Sequence, residues 1–140
     1  MRFWDTSTIL PLVVRESTTP ALRRLVRTDA DIVVWWNTYV ECVSALARRE
    51  RDGVLSTAQV QAVLDHLEAI AESWYVIGPV PVLRATACRL LRTHVLRAAD
   101  ALQLAAAICA SEHRPATLPF VCLDTRLNHA ASLEGFTIVP

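Results

Sequence analysis

Three short apolar runs, each followed at once by a polar residue, restrict what this chain can fold into. The runs are Phe3 to Trp4, Ile32 to Trp36 and Phe120 to Leu123. Apolar residues at successive positions are typical of strands buried on both faces, as parallel sheets require. The polar residue after each run can cap a helix. This alternation predicts an α/β protein, with a parallel sheet of four to five strands between two layers of helices.

Apolar residues at helical spacing lie between these runs, and one segment, 98–111, is apolar on every side and so predicted to be buried. The first helix is expected to start near Ser7 to Leu10, with Pro11 in its first turn. Tyr75 to Ile77 is expected to be an extended link, and Phe136 to Val139 a last strand. The other helices are predicted over 21–28, from Asn37 to Gly53, from Ser56 to Trp74, and over 82–92 and 127–133.

Length and composition fit one domain spanning residues 1–140. Hydrophobic residues make up 53% of the chain and only three residues are glycine, which argues against disorder. The most apolar stretch is too short to cross a bilayer, and Asp5 interrupts any apolar signal segment. We therefore expect a cytoplasmic protein with no membrane partner.

The four cysteines are far apart and form no Cys-x-x-Cys pair. They are Cys42, Cys88, Cys109 and Cys122, each within an apolar run. Reduced, buried thiols have this pattern, so we expect all four to be free. Since no His or Cys pair has ligand spacing, a zinc site is not expected.

Four acids recur at equivalent places in the predicted fold. Asp5 and Asp124 follow strands, whereas Glu41 and Asp100 fall near the starts of helices. All four are expected at the edge of the sheet where the strands end, which is where open α/β folds bind ligands. Carboxylates crowded together repel one another unless a cation joins them, and oxygen ligands favour Mg²⁺ or Mn²⁺. Such a cation can activate water against a phosphodiester.

The basic residues are all arginine, 14 in number, and match the 14 acids. If the four acids share one site, 10 others remain, which leaves a modest positive surplus for a phosphate-bearing partner. Arg-only usage is also an ordinary consequence of genome composition. Charge alone therefore does not identify the partner.

Four segments together resemble PIN-domain proteins of the VapC toxin type. In order along the chain, they are Phe3 to Ser7, Trp36 to Glu41 with Ser44 to Leu46, Leu96 to Ala105, and Val121 to Leu127 with Ala130 and Ala131. The resemblance implies a Mg²⁺-dependent endoribonuclease toxin of a type II toxin–antitoxin system. It also implies an RNA substrate, a cognate antitoxin and a homodimer.

The same resemblance assigns metal binding and water activation to Asp5, Glu41, Asp100 and Asp124. Ser7 matches the hydroxyl that forms hydrogen bonds inside the acid cluster. One position departs from the family pattern: Cys122 stands where a Thr or Ser is usual, and a thiol is a poorer hydrogen-bond donor.

Other catalytic classes fit the sequence less well. A haloacid dehalogenase phosphatase needs a second Asp where Ser7 stands, and an adhesion-type metal motif needs Ser where Ile9 stands. A metal-free ribonuclease would have to use His94 and His129, which nothing in the sequence pairs with a base or an oxyanion donor.

A catalytically silent PIN module that binds RNA or an antitoxin is the main alternative. Several arginines, Arg97 and Arg126 among them, would follow an RNA backbone under either interpretation. The tryptophans are expected in the core rather than as stacking platforms: Trp4, Trp35, Trp36 and Trp74. Apolar surface on the helices between Leu12 and Val26 and between Val54 and Ile70 is expected to be covered by a second copy.

Overall fold

A computed structural model of the chain describes residues 1–139, in which five strands form one parallel sheet. They are β1 (Arg2–Trp4), β2 (Ile32–Trp35), β3 (Tyr75–Ile77), β4 (Phe120–Val121) and β5 (Ile138–Val139). The spatial order is β3-β2-β1-β4-β5, and every neighbouring pair is parallel.

Seven α-helices and one short 3-10 helix connect the strands. None of those in residues 1–139 has the length and apolar character needed to cross a membrane. The α-helices are α1 (Thr6–Val13), α2 (Thr19–Thr28), α3 (Thr38–Arg51), α4 (Thr57–Ala71), α5 (Pro81–Thr93), α6 (Ala98–Ala110) and α7 (Thr125–Leu133), and the 3-10 helix is Pro115–Thr117.

The two faces of the sheet bury alternate residues of the same strands. On one face, Trp4 and Val34 pack with residues of α1 to α4. On the other, Phe3 and Phe120 stack with ring centroids 5.5 Å apart and pack with α5, α6 and α7. Side chains alternate across a strand, so each strand contributes to both cores. The predicted three-layer α/β/α sandwich is confirmed.

Strand order reverses between β1 and β4. From β1 the chain moves outward to β2 and β3, whereas β4 and β5 lie on the other side of β1. Connections therefore leave β1 and β4 in opposite directions and open a crevice at their carboxyl ends, the usual ligand position in open α/β sheets.

Two expectations about local structure are wrong. Tyr75 to Ile77 is not a link but the edge strand β3, which pairs with β2 through Val33 and Trp35. Pro11 is the sixth residue of α1 rather than part of its first turn, so the carbonyl of Ser7 lacks its helical donor. Ser56 caps α4, where it forms a capping box in which Ser56 and Gln59 bond each other's backbone N–H.

The tryptophans and cysteines are less uniformly buried than expected. Trp36 lies just past the end of β2 and is 57% exposed, whereas Trp35 before it is buried. All four thiols are free, but Cys88 is exposed and Cys109 half-buried. Cys88 lies on the outer face of the amphipathic helix α5, so an apolar run there did not mean burial.

A carboxylate at the end of α7 joins two helices of the same layer. Glu134 accepts two hydrogen bonds from the guanidinium of Arg89 on α5, at 3.0 and 2.7 Å. His94 Nε2 lies 2.7 Å from the same carboxylate. The hydrogen bonds from Arg89, and then those from His94, hold the pKa of Glu134 below its ordinary value.

We predict that Glu134→Gln destabilises the fold in a pH-dependent way. A depressed pKa adds stability above the unfolded-state pKa, and that stability is lost as the pH falls through the folded-state pKa. At neutral pH the loss should be about 1 kcal/mol, since Arg89 is half exposed and screened. Urea unfolding should show this loss disappearing once Glu134 is protonated. Glu112→Gln, which alters an exposed ion pair, is the control; a pH-independent loss would contradict the prediction.

Candidate active site

Asp5 directly follows β1 and is the N-cap of α1. Its Oδ2 accepts the backbone N–H of Ser7 at 2.9 Å, and only 6% of the residue is exposed. Burial raises the pKa of the Asp5 carboxyl, the hydrogen bonds from Ser7 and Cys122 oppose that rise, and the nearby charge of Glu41 adds to it. A buried carboxylate next to a second one is suited to binding a cation.

Asp124 has the equivalent position after β4. It caps α7, with Oδ1 accepting the backbone N–H groups of Arg126 at 2.8 Å and Leu127 at 2.9 Å. Because β1 and β4 are neighbours in the sheet, Asp5 and Asp124 flank the crevice at the switch in strand order. Asp5 and Asp124 thus follow strands, as the sequence predicts.

Cys122 connects the two capping acids. Its sulfur lies 3.6 Å from Asp5 Oδ2 and accepts the backbone N–H of Asp124 at 3.2 Å. Burial, followed by the charge of Asp5, raises the pKa of this thiol. The thiol therefore remains protonated, and it supports Asp124 by accepting the backbone N–H of that residue. Since the thiol is the acceptor there, its weakness as a donor does not affect this contact.

Ser7 takes part in this link through its hydroxyl and its backbone N–H. Its Oγ accepts the backbone N–H of Leu123 at 2.9 Å and lies 3.8 Å from the sulfur of Cys122. The hydroxyl thus fixes the segment that leads to Asp124. Its backbone N–H forms the bond to Asp5 described above.

Glu41 is held in the first turn of α3 by donors from three elements. The hydroxyl of Thr6 donates to Oε2, and Gln103 Nε2 donates to the same oxygen at 3.1 Å. Asn37 Nδ2 donates to Oε1 at 3.2 Å. Asn37 was expected to cap α3 with its side chain, but it forms no such cap and bonds Glu41 instead.

Gln103 is a buried amide from the opposite layer that organises this side of the crevice. It is 1% exposed and its Nε2 also contacts the hydroxyls of Thr6 at 2.7 Å and Thr38 at 3.2 Å. Its Oε1 is buried and has no hydrogen-bond partner within residues 1–139. Its three partners lie on α1 and α3, far from Gln103 in the sequence.

Asp100 is the acid least connected to the others. It lies in the first turn of α6, where Oδ2 accepts the backbone N–H of Arg97 at 3.1 Å. Within the described part of the chain, no hydrogen bond joins it to Asp5, Glu41 or Asp124. Its link to them is indirect, through Gln103 one turn later on the same helix.

The chemistry of these donors fits a hard divalent cation, although the side chains do not form a closed coordination sphere. Carboxylate oxygens are the ligands that Mg²⁺ and Mn²⁺ prefer. The raised pKa of Asp5 and the unpartnered Oε1 of Gln103 are both conditions that a cation would relieve. In residues 1–139, however, no three acidic, His or Cys side chains lie close enough to bind one ion together.

The overall shape of the chain matches a known structure more clearly than its sequence does. No family model matches the sequence, and no curated protein matches it. The crystal structure of FitAcB from Neisseria gonorrhoeae aligns with 100% of this chain and 97% of that chain, with a TM-score of 0.75 and 15% identity. The fold is PIN-like. At that identity the likeness concerns the fold alone.

The two histidines considered for metal-free chemistry border one cavity of about 450 Å³, together with Arg126 and Thr125. Unlike the sequence-based expectation, His94 does have a partner, the carboxylate of Glu134. That carboxylate also pairs with Arg89, so the contact joins α5 to α7. His129 is exposed and forms none of the hydrogen bonds found in residues 1–139.

We predict that Gln103→Leu lowers the free energy of unfolding by about 1–3 kcal/mol. The substitution nearly preserves volume but removes the buried amide that donates to Thr6, Thr38 and Glu41, and unmade buried hydrogen bonds cost this much. Urea unfolding measures the change. Gln61→Leu, on the exposed face of α4, is the control. Equal stability of the two variants would show that Gln103 does not organise the crevice.

Proposed function

We propose that this protein is the toxin of a type II toxin–antitoxin system and acts as a Mg²⁺- or Mn²⁺-dependent endoribonuclease. The observation that supports the activity best is that Cys122 contacts both the carboxylate of Asp5 and the backbone N–H of Asp124, where the neighbouring strands β1 and β4 end. Glu41 stands beside Asp5, and Gln103 joins it to the helix of Asp100. The toxin assignment rests on the sequence resemblance and on the PIN-like fold.

The cation would be held by Asp5, Glu41, Asp100 and Asp124. Bound there, it would lower the pKa of a water molecule and neutralise charge on the phosphodiester under attack. Four carboxylates gathered at one site would repel one another without a cation. Cation binding and the ordering of the acids are therefore coupled in this proposal.

The remaining polar residues position the acids and the RNA. Gln103 and Thr6 hold the Glu41 carboxylate, and Ser7 holds the backbone ahead of Asp124. Arg97 and Arg126 are exposed and adjoin the starts of α6 and α7, within a few residues of Asp100 and Asp124. Their guanidinium groups can bind the phosphates on either side of the scissile bond.

A catalytically silent module that binds RNA or an antitoxin is the second candidate. Two observations favour it: the absence, in residues 1–139, of three clustered metal-binding side chains, and a thiol at position 122. Under either candidate the protein binds RNA, an antitoxin or both. They differ in whether a divalent cation binds at the crevice and whether RNA is cut.

Asp100→Asn separates catalytic from structural roles. Asn keeps an oxygen that can accept the N–H of Arg97, so the metal-free variant should stay within about 1 kcal/mol of the wild type or gain stability. The rise in Tm on adding Mn²⁺ should shrink because one anionic ligand is lost. RNA cleavage should fall by orders of magnitude. Thermal melting with and without Mn²⁺, beside a cleavage assay, measures all three.

Asp65→Asn is the matched control, since Asp65 is an exposed acid on α4 that contacts only Gln61 among the hydrogen bonds found. It should change neither the Mn²⁺ shift nor cleavage. An Asp100→Asn protein that cuts RNA normally would remove Asp100 from the site. Cleavage by the wild type that survives EDTA would instead favour chemistry at His94 and His129.

We also propose a homodimer, in which a second copy of the chain covers α2 and α4. These helices border an apolar groove of about 520 Å³, lined in part by Leu12, Val26 and Ile70. Among the large apolar side chains of 12–26 and 54–70, only Val54 is more than a third exposed. The groove, rather than scattered exposed side chains, is thus the surface on which we expect contact.

Ala69→Arg places a charged side chain in that groove from an exposed position of α4. Sedimentation velocity at micromolar concentration, without antitoxin, should show a wild-type dimer and a mutant monomer. Ala85→Arg, at an exposed position of α5, is the control and should remain dimeric. A monomeric wild type would contradict the proposed dimer.

A further inference from the structure

Trp36 is an aromatic side chain that lies largely outside the core. More than half of it is exposed, whereas Trp4 and Trp35 are buried and Trp74 is half-buried. The ring packs edge-on against Trp35, with centroids 6.5 Å apart and planes at 69°. Its backbone N–H donates to the carbonyl of Ile77 at 2.9 Å, which fixes the residue to the adjacent strand. The ring is thus held firmly yet open to solvent.

The ring borders a small aromatic cleft at the end of β2. Trp35, Tyr39, Trp74 and Val76 line this cleft with Trp36, around a cavity of about 220 Å³. Pockets for drug-sized ligands measure about 300–1,000 Å³, so this cleft suits one planar ring rather than a helix or a folded chain. Aromatic walls around such a space favour stacking.

The cleft adjoins the acids of the proposed nuclease site. Asn37, the residue after Trp36, donates to Glu41. Trp36 lies beyond the carboxyl end of β2, the strand beside β1, so it is at the sheet edge where Asp5 lies. Arg97 and Arg126 flank the other acids at the starts of α6 and α7. A nucleic-acid strand crossing this edge would meet guanidinium groups on one side and aromatic rings on the other.

We infer that Trp36 is a stacking platform for one unpaired nucleobase next to the scissile phosphate, and that the RNA must be single-stranded at that point. This inference rests on the proposed nuclease function. Bases inside a duplex already stack on one another and cannot offer a free face to a protein ring. Stacking tolerates any base, so Trp36 would select single strands rather than a sequence.

Binding of RNA, rather than cleavage, tests this role. Fluorescence anisotropy would compare a labelled oligouridine strand with a blunt RNA duplex of the same length, with Ca²⁺ as the divalent cation. Trp36→Leu keeps apolar bulk but removes the ring, so affinity for the single strand should fall by about fivefold or more. Trp36→Phe keeps a ring and should retain most of the affinity. Neither variant should alter duplex binding.

Tyr75→Leu is the control, because Tyr75 is an exposed aromatic at the opposite end of the β3 edge. It should bind both RNAs as the wild type does. If the wild type binds the single strand and Trp36→Leu binds it equally well, this inference is overturned but the proposed nuclease function is not. A Trp36→Leu protein with an altered sedimentation coefficient would assign the ring to a contact between copies and also overturn it. If the wild type binds neither RNA, the inference and the proposed function both fail.

Discussion

The buried carboxylate of Asp5 is the constraint on which the rest of the candidate site depends. A charge taken out of water is unfavourable unless donors or a cation compensate for it. The N–H of Ser7 at the start of α1 supplies one compensation, and the sulfur of Cys122 is close by. The nearby charge of Glu41 disfavours the ionised form of Asp5 and raises the pKa of Asp5 further. In the proposed cation site, a bound cation would compensate the buried charge that the metal-free protein has to bear.

Gln103 makes the two helical layers interdependent. It belongs to α6, which packs on one face of the sheet, yet its amide bonds Thr6, Thr38 and Glu41 at the starts of α1 and α3 on the other face. The amide reaches across the carboxyl edge of the sheet. A shift of α6 would therefore move Asp100 and the partners of Glu41 together, so packing of the apolar helix and geometry of the acids are linked.

The layers and the parallel sheet could be predicted from sequence because burial on both faces leaves a direct mark, namely unbroken apolar runs. Asp5 and Asp124 could be placed for the same reason, since each follows such a run and caps a helix. Edge strands leave a weaker mark: β3 is exposed along most of its length, so Tyr75 to Ile77 resembled a link. The exposure of Trp36 was missed because this residue continues the apolar run of β2, although the strand itself ends at Trp35. Contacts such as Asn37 to Glu41 depend on rotamers that a single sequence does not specify.

The most direct test of the account is the anomalous X-ray signal of Mn²⁺ in crystals of the wild-type protein grown with that ion. The account predicts a peak in the crevice at the carboxyl ends of β1 and β4. There, oxygens of Asp5 and of at least one of Glu41, Asp100 and Asp124 should coordinate the ion. A well-diffracting crystal with Mn²⁺ bound only elsewhere, or with no peak at this edge, would contradict the central claim that these acids form a cation site.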